Sequence, residues 1–359
     1  MRSIETNGYS LEVGSLLDSS FAELLNNKYA TSKKVIIADE NTHKHCLSYL
    51  ITNFDALSEA EIVVLTPGEE SKQMSLTYTI WEALTEYGVT RYDLIINLGG
   101  GVITDMGGFI ASCYKRGCDF INIPTSLLAM VDASIGGKTG INLGHFKNQI
   151  GVFSNPVALY IDRLFLETLP EEEIMSGFAE MLKHGLISDE KLFHEVCAQI
   201  KKPDELSDEL LVRCIEVKNK VVKKDPLEDG HRKILNFGHT VGHALEGHFM
   251  NTHPLSHGHA VAIGMVLEAY VSVKMLGLLQ ESYELIEKSI LSKFPIPRFS
   301  NEDIQLMIEM MQNDKKNRSG KIQCCLLPKI GNCTYDHTVT SEIFLETFMH
   351  FKNKQVNLN

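Results

Sequence analysis

The sequence lacks several features that would assign it to broad classes of protein. Its eight cysteines contain no C-x-x-C pair, so neither a closed cysteine-rich zinc site nor a dithiol redox motif is expected. Reduced, mostly buried thiols in a cytoplasmic protein fit the pattern better. No apolar run approaches the ~18–20 residues a membrane span needs. The start, MRSIETNGYSLEVG, carries no apolar core after its basic residue, so secretion is not expected. Positive charge is also short: 34 Lys and Arg stand against 46 Asp and Glu, a formal net charge of -12. Nucleic acid is therefore not an expected main partner, and without a spanning run neither is a membrane. There is no internal repeat, low-complexity tract or long linker.

What remains is a 359-residue chain, 44% hydrophobic and 22% charged, long enough for two domains. Short apolar runs at 35–39, 62–66, 94–98, 120–124 and 158–162 read as buried parallel strands, covered on both faces. Residues 73–87 between them have helical spacing. This alternation predicts an α/β domain with a parallel sheet over residues 1–169. From the Pro170-Glu171-Glu172-Glu173 run onward the pattern turns helical, as at 206–222, 260–276 and 283–291, with 322–327 the clearest strand. Residues 170–359 are expected to form a mainly α-helical domain.

In the first half, Leu98-Gly99-Gly100-Gly101 ends an apolar strand and opens a helix. Such a turn lets a phosphate approach the backbone at a helix N-terminus. The spacing is not G-x-G-x-x-G, so the usual dinucleotide fingerprint does not apply. Asp39 and Glu69 lie at strand ends, where an acid can accept from a ribose hydroxyl; alone, each is better read as a solvated turn residue. Gly136-Gly137-Lys138-Thr139 is part of a P-loop pattern but not all of it, which leaves Lys138 as a cation beside a glycine turn.

Half of the 14 histidines fall between His231 and His259. Imidazole is a common metal ligand and titrates near neutral pH. His239, His243 and Glu246 share one face of a helix. The layout is close to H-E-x-x-H, but no Glu follows the first His, so the peptidase base is missing. Glu180 stands in an apolar helical setting and needs a partner there. Two imidazoles and a carboxylate leave a zinc coordination position open, as catalytic sites do. Spacing does not choose among His239, His243, His257, His259, Glu180 and Glu246. His231, His248 and His253 read as surface residues. Lys183, Lys218, Arg232 and the Lys315-Lys316 pair suit a phosphate- or carboxylate-bearing substrate, and Asn236 can serve the same ligand.

Taken in order, these segments resemble the 3-dehydroquinate synthase family almost end to end. The match runs through residues 68–72 (GEESK), 99–105 (GGGVITD), Arg116-Gly117, 124–129 (PTSLLA), 132–138 (DASIGGK), Lys147-Asn148, 179–183 (AEMLK), 232–243 (RKILNFGHTVGH) and His257-Gly258. The resemblance implies a Rossmann-like NAD-binding domain, a helical domain carrying zinc or cobalt, and an active site in the cleft between them. It implies Glu180, His239 and His257 as metal ligands and His243 as a proton-transfer residue. The implied substrate contacts are Asp132, Lys138, Asn148, Lys183, Lys218, Arg232, Asn236 and one of Lys315 and Lys316, with Lys316 taken here. Arg116 matches a residue that reaches a neighbouring subunit's site, which implies a homodimer. Implied NAD contacts are Asp39, Glu69, Lys72, Gly100, Gly101, Asp105, Thr125, Ser126, Lys138, Lys147, Phe165 and Thr168.

The implied substrate is a small phosphorylated sugar acid, 3-deoxy-D-arabino-heptulosonate 7-phosphate. The implied course is oxidation at C5, β-elimination of phosphate, return of the hydride, and ring opening with aldol closure to 3-dehydroquinate, a step of the shikimate pathway. Two positions depart from the family: His259 stands where Glu is usual, and Glu172 where a neutral amide is often found. The rival readings are another sugar-phosphate cyclase, an iron-type polyol dehydrogenase, which would accumulate NADH, and a non-catalytic zinc protein.

Overall fold

A computed structural model describes all residues except 145, 201, 203–204, 251, 313–320 and 357–359, and describes 355–356 by backbone alone. The chain divides into two compact units, Met1–Ile174 and Met175–Asn359. The division falls within a helix that begins at Glu171, just after the change of pattern near Leu169.

The first unit holds strands β1 (Arg2–Glu5), β2 (Ser10–Val13), β3 (Lys34–Asp39), β4 (Glu61–Leu65), β5 (Leu94–Gly99), β6 (Asp119–Pro124), β7 (Lys138–Leu143), β8 (Phe146–Phe153) and β9 (Ala158–Ile161). Its helices are α1 (Phe21–Asn26), α2 (Glu40–Thr42), α3 (Ser48–Asn53), α4 (Met74–Glu86) and α5 (Gly101–Cys113). Among the described residues, seven strands form one sheet in the order β1-β2-β9-β6-β5-β3-β4. Only the β1–β2 pairing is antiparallel in it. Strands β7 and β8 pair separately as a hairpin.

The apolar runs at β3, β5, β6 and β9 are buried almost throughout, as expected. β4 is not: Glu61 and Val64 are exposed, because β4 is an edge strand, with β3 as its only sheet neighbour among the described residues. Taken in chain order, the parallel strands β3, β4, β5, β6 and β9 are arranged second-first-third-fourth-fifth. The order reverses between β3 and β5, and ligands of open α/β sheets bind at the carboxyl ends of strands at such a point. Asp39 and Gly99 are the last residues of those two strands.

Helix α5 covers this region with Ile103, Met106 and Ile110, against Val35, Ile37, Ile95 and Phe120. It lies very close to the sheet, since a Cβ on Gly107 would stand 1.9 Å from Asn97 Oδ1.

Helix α6 (Glu171–Ser188) leads into the second unit, which contains α7 (Glu190–Gln199), α8 (Asp208–Lys224), α9 (His239–Phe249), α10 (His257–Leu276), α11 (Gln280–Leu291), α12 (Asn301–Gln312) and α13 (Ser341–Val356). Strands β10 (Ile322–Lys329) and β11 (Asn332–Val339) form an antiparallel hairpin. Side-chain caps start two of the helices: Asp189 accepts from Lys191 and Leu192 N–H on α7, and Ser207 from Leu210 N–H on α8.

Helix α10 is apolar on all sides because other elements surround it. Contrary to the expectation that no such run exists, it is long and apolar enough to cross a membrane by length and composition, with mean hydropathy 1.4 over its most apolar window, 67% of it buried. Helices α9 and α10 pack with almost no separation. A Cβ on Gly264 of α10 would lie 2.0 Å from Gly238 O, and one on Gly242 of α9 would lie 3.0 Å from Val261 Cα.

Candidate metal centre and nucleotide loop

Glu180 lies in the buried middle of α6, fully shielded from solvent. One turn before it, Ser176 Oγ accepts from Gly258 N–H at 3.0 Å. A Cβ on Gly258 would stand 2.3 Å from Ser176 O, so only glycine lets α10 begin here. His257, the first residue of α10, is thereby placed beside Glu180, and His239 opens α9 at the same spot. Glu180 Oε1 lies 3.7 Å from His239 Nε2 and 3.8 Å from His257 Nε2. One donor atom from each of the three residues falls within 4.8 Å of the others.

The outward ring nitrogens are held as well. His239 Nδ1 lies 3.2 Å from Phe237 O, and His257 Nδ1 lies 3.4 Å from Glu246 Oε2. Partners of this kind orient metal-bound imidazoles. Glu180 Oε1 is buried and accepts no hydrogen bond, an arrangement that is costly unless a cation serves it. Lys183, one turn further along α6 and 1% exposed, pairs with Oε2 of the same carboxylate. Two imidazoles and a carboxylate suit Zn2+ or Co2+ with a position left open. The residues present therefore fit a catalytic divalent metal.

The other candidates take different places. His243 is exposed, its ring centroid 5.4 Å from that of His239 and 6.0 Å from that of His257. His259 turns elsewhere: its Nε2 meets Pro295 O at 2.9 Å and its ring packs on Phe294. His253 is exposed. His248 is not a free surface residue as expected, because Asp303 Oδ1 holds its Nε2 at 2.9 Å, which ties α9 to α12. Burial, then Lys224, hold His231 below the usual histidine range.

Arg232 and Asn236 share a short 3-10 turn, His231–Asn236. Arg232 is 1% exposed, and its Nη1 donates to Pro226 O at 2.6 Å. Asn236 Nδ2 donates to Glu228 Oε1 at 2.9 Å. Asp225 shapes the turn by accepting Gly230 N–H at 2.8 Å and Arg232 N–H at 2.9 Å. Desolvation opposes ionisation of Asp225, but the backbone donors from Arg232 and Gly230 outweigh it and hold its carboxyl below the usual range. Lys218 is buried on α8, and Glu172 is exposed in the first turn of α6. Lys315 and Lys316 lie outside the described residues.

In the first unit, the glycine loop joins β5 to α5 at the point where the sheet order reverses. A Cβ on Gly100 would stand 3.2 Å from Ser126 Oγ, and one on Gly101 would stand 3.3 Å from Ala133 Cβ. The loop is a backbone cradle that side chains would fill. Thr125 N–H donates to Gly99 O at 3.1 Å, which binds the β6 end to the loop. Asp39 caps α2, its Oδ1 accepting from Thr42 N–H at 2.8 Å.

Lys72, 2% exposed, joins Asp105 at 2.9 Å and Glu69 at 3.7 Å, and donates to Asn148 Oδ1. Burial works against its charge, but Asp105 and Glu69 outweigh it and hold its pKa above the usual lysine range. Four expected ligand contacts thus form one network. Asp132 is half-buried, whereas Lys138 and Asn148 are exposed and Lys147 is partly so. Phe165 is buried, edge-on to Tyr49, and Thr168 is exposed. Arg116 is exposed in a turn where Lys115, Arg116 and Gly117 all have positive φ.

Sequence reasoning did not single out Ser176 or Glu268. The only signal for Glu268 was a lone acid in the apolar stretch 260–270.

Fold and donor set together define a class of enzymes with a parallel-sheet unit followed by a helical unit that carries the candidate metal ligands. Among solved structures, the fold is similar to 2-epi-5-epi-valiolone synthase from Streptomyces hygroscopicus subsp. jinggangensis 5008, with a TM-score of 0.82 and 24% identity over 99% of each chain. It is also similar to a 2-deoxy-scyllo-inosose synthase, with a TM-score of 0.82 and 22% identity over 97% of this chain and 99% of that one. Within that class the chain belongs to the 3-dehydroquinate synthase family. The family's N-terminal model matches residues 62–176 and its C-terminal model residues 177–317. The 3-dehydroquinate synthase of Parabacteroides distasonis is 41% identical over 89% of this chain and 91% of that one.

Proposed function

We infer that the chain is a 3-dehydroquinate synthase, a phosphate-eliminating carbon–oxygen lyase that uses NAD and one zinc or cobalt ion. It would convert 3-deoxy-D-arabino-heptulosonate 7-phosphate to 3-dehydroquinate and phosphate. The observation that carries this reading is the donor set of Glu180, His239 and His257, with one buried carboxylate oxygen that accepts no hydrogen bond. The family membership supports the substrate. The solved valiolone synthase carries NAD+ and Zn2+, and the inosose synthase carries NAD+ and Co2+, which supports the same pair here.

When bound, the metal would polarise alcohol and ketone oxygens as a Lewis acid while NAD takes a hydride and returns it. The chain's own part is positioning and charge. The glycine loop at 99–101 offers a pyrophosphate the start of α5, and Asp39 offers a ribose an acceptor. Arg232, Lys218 and Lys183 are buried cations suited to carboxylate and phosphate oxygens, and such fixed charges also favour charge that builds up during elimination. His243, exposed beside the trio, would move protons between substrate and solvent. Asp132, Lys138, Asn148, Asn236 and Lys316 complete the proposed substrate contacts. Arg116 would serve a second copy, making a homodimer, and cysteines that form no disulfide fit a cytoplasmic setting.

The retained Lys218, Arg232, Asn236 and His243 favour a carboxylate-bearing substrate over those of the other cyclases. The test is phosphate release from 3-deoxy-D-arabino-heptulosonate 7-phosphate with NAD and Zn2+ or Co2+, following NADH in the same cuvette. Phosphate and 3-dehydroquinate should form with no NADH accumulating. Turnover only of glucose 6-phosphate or a heptulose phosphate without the carboxylate would reassign the substrate. NADH accumulating with a simple polyol would reassign the reaction.

A further inference from the structure

Glu268 takes no part in the chemistry described so far, yet it is fully buried in the middle of α10. Its Oε2 accepts from Gly238 N–H at 2.7 Å and its Oε1 from Val241 N–H at 3.1 Å. Both donors belong to the start of α9, where the first N–H groups of a helix have no partner within it. The two bonds flank His239. Helix α10 also begins with His257, so one rigid helix carries the second imidazole at its start and this carboxylate three turns on. Glycine contacts press the same two helices together at Gly238, Gly242 and Gly264. Neither helix can shift along the other without breaking the Glu268 bonds.

We propose that Glu268 is a positioning residue for the metal centre: it clamps the start of α9 onto α10 and so fixes the spacing between the His239 and His257 imidazoles. This rests on the reading of Glu180, His239 and His257 as the metal ligands. A carboxylate suits both donors because each oxygen accepts. A glutamine in its place has one accepting oxygen and would turn an N–H group toward the second donor. The helix start would loosen, and the ligand atoms would no longer be held at metal-binding distance before the ion arrives.

The experiment titrates metal-free full-length protein with Co2+, reading the visible absorption of the bound ion. It compares wild type, His239→Ala, Glu268→Gln and Thr347→Val. Thr347 is a control of equal burial in the same unit, bonded to Ile343 O on α13. Losing a group that holds a metal ligand in place costs about 10–100-fold in metal affinity. Glu268→Gln should therefore raise the Kd at least about tenfold and alter the Co2+ spectrum, while Thr347→Val stays within about twofold.

If His239→Ala loses Co2+ but Glu268→Gln binds like Thr347→Val, the clamp is wrong and the ligand set stands. If His239→Ala binds like wild type, the ligand set fails and the clamp with it. Should Glu268→Gln fail to fold, amide exchange in wild type decides. Gly238 and Val241 N–H should exchange slowly, and fast exchange at both would overturn the proposal.

Discussion

The crossing of α9 and α10 makes a prediction in which two effects oppose each other. Changing Gly264 to Ala within helix α10 should by itself stabilise the helix, by roughly 0.5–1 kcal/mol. The new Cβ, however, would lie 2.0 Å from Gly238 O and 2.8 Å from Gly242 N. Ordinary contact begins at 3.4 Å, so the helices must part by 3.4 − 2.0 = 1.4 Å at that point. Overpacking costs about 1–3 kcal/mol where side chains can adjust. Here the obstructing atoms are backbone, and Glu268 holds Gly238 N–H, so the upper end applies. The net loss is about 2 kcal/mol. For a unit of this size each kcal/mol moves Tm by roughly 2–4 °C, so Gly264→Ala should melt roughly 4–8 °C below wild type. The melts are followed by circular dichroism on metal-free protein, because a bound ion would add its own stabilisation. A Tm at or above that of wild type would show that helix propensity wins and that the two helices are not in obligatory contact.

Other consequences can be checked directly. Purified His239→Ala, His257→Ala and Glu180→Gln proteins should lose most of their zinc by elemental analysis, while His259→Ala keeps it, since His259 faces Pro295 O; the reverse pattern would mean His259 is a ligand. Asp225 has a folded pKa below its ordinary value of 3.8, so its stabilisation is complete above that value and is lost as pH falls through the folded one. Melts of wild type and Asp225→Asn should therefore differ from pH 5 to 8 and draw together as pH falls below 3.8; a gap that does not narrow there would mean the carboxylate charge is not what holds the turn. Among the thiols, burial pushes Cys46 and Cys118 up to about 12, whereas Cys113 is exposed. An aromatic disulfide reagent with mass-spectrometric readout should modify Cys113 first and those two only on unfolding.

The parts of the fold legible in sequence are those whose burial is uniform. β3, β5, β6 and β9 read as apolar runs because both their faces are covered. β4 has the same composition, but no local signal says which strand will lie at the edge. β1 and β2 are four residues each, too short for a period to show. The β7–β8 hairpin is interrupted by glycines and presents Leu143, Phe146 and Phe153 to the outside, so its alternation does not mark a buried face. At the candidate metal centre, histidine density points to the region where the donor set lies, but the choice among donors depends on which way each ring turns. Phe237 O and Glu246 aim two rings at Glu180, and Pro295 O draws His259 away. His259 and Pro295 are far apart along the chain, so spacing on one helix could not foresee the opposite roles of His257 and His259.

The electrostatics of the centre also explain why so many acids surround it. His239 and His257 are each the first residue of a helix, and the positive ends of two helix dipoles therefore converge where a cation would bind. That placement is unfavourable for a metal and favourable for an anion. Glu180 contributes a carboxylate within the donor set, Glu246 lies against the far nitrogen of His257, and Glu268 meets the first N–H groups of α9. Each offsets positive potential at a different point, so the donor set can hold a divalent ion despite the helix starts. The same helix starts, once an ion's charge added to theirs, would make the space beside the donor set attractive to oxygen anions.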